Sequence, residues 1–335
     1  MERRTLGRTG LEVSVLGMGG LFISRYGAED RQDARRAVHR ALELGVNHAD
    51  TAPSYLDSEE VLGYALADAP RPCFVSTKLG GRPQPFDPKD RQGLRRSVEE
   101  SLRLLGRDRI DVLFVHEPDR PGQHDWWDDD DFHGPVDDVL DELKAEGLIR
   151  FTGLGGTTAY EMARVMATGR YDVVLTAFNY SLLWREAENA ILPEARRQRM
   201  GVVVGSPLQQ GALSRRFDEE VRGGAPWLSP PRRDQLRRLY ALLDDLDMPI
   251  TELAIRFVIS NADVSMTLMG ARSVAEVEAN VAAAEKGPLP GQVLARLKEI
   301  ADALPFRPFE EPAVLPFLRP YRGPGWVNVG ASRRS

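Results

Sequence analysis

Four residues of types that can move protons stand at comparable places in the chain. Asp50 and Tyr55 bound the stretch Asp50-Thr-Ala-Pro-Ser-Tyr55, Lys78 closes Cys73-Phe-Val-Ser-Thr-Lys78, and His116 closes Ile110-Asp-Val-Leu-Phe-Val-His116. Each follows a short apolar run, so each is predicted at the C-terminal end of a strand or in the loop just beyond it. A phenol with its ordinary pKa of about 10 is a poor proton donor or base near neutrality unless a cation lies beside it. Lys78 can be that cation, Asp50 can hold the ammonium charged and in place, and His116 can hydrogen-bond an oxygen on which charge develops. If the strands run parallel, the four converge on one face. The plainer reading is a loop aromatic at Tyr55 and a structural ion pair between Lys78 and Asp50.

The elements that must position these residues alternate regularly. Residues 5–14 alternate around a glycine-containing turn and predict a small hairpin. Strands are predicted at 15–19, 46–50, 73–77, 110–115, 151–154, 173–177, 202–205 and 265–269. Helices with apolar residues at a 3.6 period are predicted at 32–44, 58–67, 90–105, 136–146, 160–167, 188–199, 232–246, 251–260 and 273–284. Strands alternating with helices demand a mostly parallel sheet. A doubly wound sheet places a Gly-x-Gly-x-x-Gly turn at the head of a helix after its first strand, and Gly17-Met-Gly-Gly-Leu-Phe22 opens no helix. Eight strand–helix units therefore predict a closed (β/α)8 TIM barrel, whose active sites lie at the strand C-termini. With no compositional break, one domain is expected over 1–335: a barrel over about 13–285 behind the N-terminal β-hairpin, then a C-terminal helix and arm over 290–335.

Composition narrows the partners. The chain of 335 residues is 42% hydrophobic and 28% charged, an ordinary globular balance with ample core, and its net charge of -6 comes without a basic run for nucleic acid or a membrane surface. No apolar run approaches the roughly 20 residues of a membrane span, and no apolar leader follows Met1-Glu-Arg-Arg4, so a cytoplasmic protein is expected. Cys73 is the sole cysteine, which excludes an internal disulfide; its place in a strand reads as packing. His116-Glu-Pro-Asp119 lacks a second nearby histidine, so no metal is expected.

Taken together, Asp50-Thr-Ala-Pro-Ser-Tyr55, Ser76-Thr-Lys78, Leu113-Phe-Val-His116, Ser206-Pro-Leu-Gln-Gln-Gly211 and Gly270-Ala-Arg-Ser-Val-Ala-Glu-Val-Glu-Ala-Asn280 resemble an aldo-keto reductase over nearly the whole of residues 5–284. The resemblance implies a barrel that binds NAD(H) or NADP(H) without a Rossmann domain and transfers hydride between the cofactor and a carbonyl or alcohol. It implies a catalytic tetrad of Asp50, Tyr55, Lys78 and His116. Ser206, Leu208, Gly211 and Leu213 are then expected along the pyrophosphate, with Arg215 or Arg216 as a clamp. Gly270, Arg272, Ser273, Glu276 and Asn280 are expected at the adenosine end.

The departures from the family pattern are themselves patterned. Many members carry Gly-Val-Ser-Asn after the fifth barrel strand, where this chain has Gly153-Leu-Gly-Gly156. Many carry glutamine and an aromatic at the positions held here by Ala177 and Gly205. These small residues resemble the branch of sugar dehydrogenases. Backbone N–H groups at Gly155 and Gly156, with Asn179 or Tyr180, are the expected substitutes. At the adenosine end, Ser273-Val-Ala-Glu276 is a capping-box pattern beside Arg272. Arg272 favours a 2′-phosphate and Glu276 opposes it, so a slight preference for NAD is expected.

Two long loops follow strands, 117–135 and 209–231. In the first, Trp126 and Trp127 are expected to wall a substrate pocket, with the acidic run 128–131 solvated. The expected partner is a small carbonyl, alcohol or sugar, and the C-terminal arm is expected either to fold over the pocket or to serve as an assembly contact for a homo-oligomer. A non-catalytic, cofactor-binding regulatory subunit is the competing reading. A Schiff-base aldolase using Lys78 is disfavoured because an aspartate partner keeps the amine charged.

Overall fold

Eight parallel strands close on themselves, each hydrogen-bonded to the barrel strands before and after it in the chain and the last to the first. The computed structural model describes residues 1–28, 30–82, 84–119, 125–225 and 228–304. The C-terminal arm expected beyond residue 304 lies outside the described residues, as do 120–124 and 226–227 of the two long loops.

The chain opens with β1 (Arg3–Thr5) and β2 (Glu12–Ser14), the antiparallel hairpin. Strand β3 (Leu16–Gly19) starts the barrel and leads to α1 (Arg31–Glu43). Asp30 caps α1 by accepting from the Asp33 N–H at 2.8 Å, and the small residues Ala34, Ala37 and Ala41 let the helix lie close on the strands. There follow β4 (His48–Asp50), α2 (Ser58–Leu66), β5 (Phe74–Leu79), α3 (Arg91–Leu105), β6 (Ile110–His116), α4 (Pro135–Ala145), β7 (Ile149–Gly156), α5 (Tyr160–Met166), β8 (Val173–Ala177), α6 (Ile191–Gln198) and β9 (Gly201–Gly205). Helices α7 (Asp218–Gly223), α8 (Pro230–Leu246) and α9 (Ile250–Ile259) precede β10 (Met266–Met269), and α10 (Val274–Glu285) and α11 (Gly291–Asp302) follow it. The predicted barrel and hairpin are both present.

Strand alternation sends every second side chain into the barrel. The lower interior is apolar: Val112, Phe114, Val173, Leu175, Val203, Met266 and Leu268 pack together and onto Leu6, Leu11 and Val13 of the hairpin. The hairpin thus plugs the end opposite the strand C-termini. Gly7 at its tip has φ +50, and a Cβ there would stand 2.1 Å from the Gly201 nitrogen, so no other residue fits this approach. Arg4 pins the plug by donating to the carbonyls of Ile259, Asn261 and Val264, and Arg8 does so to Gly169 and Tyr171.

Three elements differ most from expectation. Strand β7 runs four residues longer than 151–154: Ile149 and Arg150 extend its start, and Gly155 and Gly156 continue the ladder opposite His116 and Thr176. Glycine carries no side-chain signal for a strand, so the ladder alone reveals it. The single helix predicted at 188–199 divides into a turn at Glu186–Glu188 and α6, and α7 was hidden in the second long loop.

Candidate active site

Strand register brings the tetrad to one rim. Asp50 pairs across from Ser76, two residues before Lys78, Lys78 from Phe114, two before His116, and His116 from Gly155, so the polar residues step along the rim from β4 to β7. Beyond β4 the chain turns back on itself. The Tyr55 N–H donates to the Ala52 carbonyl at 3.0 Å, and the Thr51 hydroxyl donates to Ser58, which in turn donates to the Gly20 carbonyl, both at 2.7 Å. Tyr55 is thereby held over the barrel mouth, half-buried.

Lys78 and Asp50 form the charged floor below it, 2% and 3% exposed. Lys78 Nζ donates to Asp50 Oδ2 at 2.6 Å and to the Thr51 carbonyl at 2.7 Å. The ammonium lies 4.9 Å from the centroid of the Tyr55 ring. The Tyr55 and His116 rings meet edge-on with centroids 6.1 Å apart. Burial works to lower the Lys78 pKa, but Asp50 first and Tyr55 second more than offset it, and the group is held above its ordinary value. Tyr55 shows the opposite balance from the one its neighbour alone implies: burial raises it, Asp50 and Glu117 add to that, and the pull of Lys78 does not cancel them. Tyr55 therefore stands protonated at neutral pH, the form that donates.

Residues just past the strands carry strain. Leu56 (φ 53), Glu117 (φ 51), Phe178 (φ 69) and Ser206 (φ 54) all adopt left-handed backbone at the rim. Each such residue costs on the order of 1 kcal/mol or more, and such strain collects at functional sites.

The remaining predicted residues fall as follows. Trp126 is fully buried: its Nε1 donates to the His116 carbonyl at 3.2 Å, and its ring packs on Phe86 with centroids 5.5 Å apart. It lies behind His116 as a buttress, whereas Trp127 is half-buried and meets Phe132 edge-on. Gly155 lies beside the Lys78 stem. A Cβ on Gly156 would meet Met162 Cε at 2.0 Å and Asp119 Oδ1 at 2.5 Å, so any larger residue there has to displace both side chains. Asp119 accepts from the Thr157 and Thr158 N–H groups, while its Oδ1 is buried without a partner among the described residues. Asn179 is buried and donates to Thr176 Oγ1 at 3.0 Å. Leu213 is fully buried, and Ser206, Leu208 and Gly211 line the loop after β9. Arg216 is bound to Asp218 and Asp244, and Arg215 lies over the Phe217 ring. Gly270 faces the Phe22 ring, and Asn280 is half-exposed on α10.

At the head of α10, Ser273 accepts from the Glu276 N–H at 3.3 Å, one half of the capping box. The other half is redirected: Glu276 Oε2 accepts from the Arg272 N–H at 2.8 Å, and Oε1 takes the Arg272 Nε at 3.1 Å. Burial works to raise the Glu276 pKa, but these bonds hold the carboxyl below its usual range.

Sequence reasoning missed a polar residue under the tetrad. Ser76 Oγ lies 2.7 Å from Asp50 Oδ1 and 2.9 Å from His48 Nε2. The available signal was parity: His48 and Ser76 stand two residues before Asp50 and Lys78 and so share their inward face. Burial lowers the His48 pKa to about 4, with the Lys78 charge acting in the same sense against the carboxylates of Asp50 and Asp111. The native imidazole is neutral where the unfolded one takes a proton, so its contribution is intact above about pH 6.5 and is lost as pH falls toward 4. About 3 kcal/mol of stability is expected to disappear over that window from this group, and urea unfolding of wild type and His48→Gln at pH 7 and pH 4 measures it.

Among the described residues no cluster of three or more His, Cys, Asp or Glu side chains is arranged to hold a metal, and no helix is long and apolar enough to cross a membrane. The model of the aldo/keto reductase family matches residues 15–302. L-galactose dehydrogenase of Arabidopsis thaliana is 32% identical over 84% of this chain and 88% of its own length. NADH-specific methylglyoxal reductase of Escherichia coli (strain K12) is 30% identical over 84% of this chain and 93% of its own. Among solved structures, the holo form of aldo-keto reductase AKR11C1 from Bacillus halodurans superposes with a TM-score of 0.72 at 27% identity, covering 93% of this chain and 100% of that one. With its barrel, its rim of Asp50, Tyr55, Lys78 and His116 and a family match from the first barrel strand to the last helix, this chain belongs to the aldo/keto reductase family.

Proposed function

We propose that this aldo/keto reductase interconverts a sugar or small aldehyde and the corresponding alcohol form with NAD(H) in preference to NADP(H), Tyr55 acting as general acid and base. The observation that carries the reading is the buried Lys78–Asp50 pair, with the ammonium 4.9 Å from the centroid of the Tyr55 ring. In the direction of reduction, the carbonyl oxygen sits against Tyr55 and His116; as the carbon gains hydride, the oxygen takes the Tyr55 proton, and the phenolate left behind is held by Lys78. Oxidation of an alcohol runs the same transfer in reverse. The two oxygens of Asp50 are both committed as acceptors, one from Ser76 and one from Lys78.

The nicotinamide group, when bound, supplies or receives the hydride. The residues present suit it. Ala177 and Gly205 are register partners, and a Cβ at Gly205 would stand 3.2 Å from Leu175 Cδ2 and 3.4 Å from Ala177 Cβ, so both positions hold small residues at the ends of β8 and β9. In this reading Gly155, Gly156 and Asn179 are the residues for the nicotinamide, Ser206, Leu208, Gly211 and Leu213 the segment for the pyrophosphate, and Gly270, Arg272, Ser273, Glu276 and Asn280 the adenosine end. Arg272 is already neutralised by Glu276, so a 2′-phosphate must compete with a bidentate carboxylate for it. The names of two relatives, L-galactose dehydrogenase and NADH-specific methylglyoxal reductase, agree with the sugar and the NAD reading.

Steady-state screening of aldoses and small aldehydes in both directions, with each cofactor, tests the proposal. Turnover of an aldose or small aldehyde with NAD(H) is expected. Glu276→Gln frees Arg272 and is expected to shift the ratio of NADPH to NADH affinity toward NADPH by about tenfold, or 1.4 kcal/mol. Wild type already binding NADPH about a hundredfold tighter would remove Glu276 from cofactor choice.

A further inference from the structure

We infer that His48 is a positioning residue, which fixes the Ser76 hydroxyl as a donor to Asp50 and so locks the Asp50–Lys78 pair beneath Tyr55. The inference deepens the proposed function and rests on it for its kinetic consequences. The chain of contacts is His48 Nε2 to Ser76 Oγ at 2.9 Å, Ser76 Oγ to Asp50 Oδ1 at 2.7 Å, and Asp50 Oδ2 to Lys78 Nζ at 2.6 Å. All four residues are at most 3% exposed.

Proton counting sets the direction of every bond. A carboxylate can only accept, so the single hydroxyl proton of Ser76 belongs to its bond with Asp50. The bond between His48 and Ser76 then needs its proton from the imidazole, and His48 is the Nε2–H tautomer. Its Nδ1 is left as a bare lone pair, with no partner among the described residues. An imidazolium would carry a second N–H at that atom with nothing to receive it. The charged groups facing His48 are Asp50 on its own strand, Lys78 on β5 and Asp111 on β6; Asp111 is already engaged by the Val75 N–H and by Arg150.

The consequence is a one-way series of donors. His48 donates to Ser76, Ser76 to Asp50 from one side, and Lys78 to Asp50 from the other. A hydroxyl that accepts a hydrogen bond donates a stronger one, because the chain polarises along its length. Without His48, the Ser76 proton is free to turn elsewhere, Asp50 loses its fixed orientation, and Lys78 loses the anchor that aims it at Tyr55.

Two measurements test this. Imidazole nitrogen NMR, with His48 assigned by its loss in His48→Gln, is expected to show a neutral Nε2–H tautomer that does not titrate between pH 5 and 8. An Nδ1–H tautomer, or an ordinary titration near 6.5, overturns the inference whatever the enzyme turns over. In kinetics, His48→Phe removes the donor and is expected to lower kcat about five- to tenfold with KM and cofactor Kd within about twofold, the size of one net hydrogen bond. His48→Gln keeps an N–H at the same reach and is expected to stay within about twofold of wild type in kcat. Because His48 acts through Ser76, adding His48→Phe to Ser76→Ala is expected to cost nothing more. Losses that multiply in the double variant, or Phe and Gln variants that behave alike, reduce His48 to core packing. If His48→Phe fails to fold, the Gln variant and the NMR tautomer decide. Absence of any turnover in folded wild type refutes the proposed function instead, and the tautomer result still stands.

Discussion

Tyr55→Phe is expected to lose about 10²- to 10⁴-fold in kcat, the usual contribution of one positioned acid, with cofactor affinity within a few-fold of wild type. The ring stays between Lys78 and His116, and only the oxygen proposed to deliver the proton is removed. Single-turnover reduction by stopped flow separates the chemical step from release, and fluorescence titration gives the cofactor Kd. A variant within tenfold of the wild-type rate removes Tyr55 from the reaction. Bound cofactor without turnover in the wild type itself returns the chain to the regulatory reading.

Lys78→Met is expected to damage both chemistry and stability. Turnover falls by a factor comparable with Tyr55→Phe, since the phenolate loses its cation. Stability falls by about 3–5 kcal/mol, because removing one member of a buried pair strands the other in a low-dielectric interior. Asp50 keeps only the Ser76 bond, at 3% exposure. Urea unfolding of Lys78→Met against the Asp50→Asn, Lys78→Met double variant measures the second effect, and the double variant is expected to regain most of the loss. If the single variant is as stable as wild type, Asp50 has found water, and the floor of the site is wetter than its burial indicates.

Much of this architecture was legible because each barrel strand carries its own signature. A short apolar run ending in a polar residue marks both a strand and its rim, which is why Asp50, Lys78 and His116 could be read in place and brought together by register. What stayed illegible depended on contacts across the sheet. Gly155 and Gly156 look like a turn in one dimension and are ladder residues in three. Trp126 looks like a pocket wall, since indole and rim coincide in the sequence, yet its Nε1 is spent on the His116 carbonyl. The Arg272–Glu276 bond, four residues apart, needed the exact start of α10 to be known before the two could be read as partners rather than rivals. Ser76 and His48 were hidden by their neighbours, because attention to a strand's last residue passes over the one two places before it.

The hairpin plug sets a rule of traffic. With Leu6, Leu11 and Val13 sealing one end of the barrel, everything that reacts must enter and leave by the other. Two reactants that share one doorway cannot come and go independently: whichever lies nearer the floor must arrive first and depart last. If the proposed reaction is the one this chain performs, the sealed end predicts a queue in which the dinucleotide would bind before the carbonyl compound and leave after it.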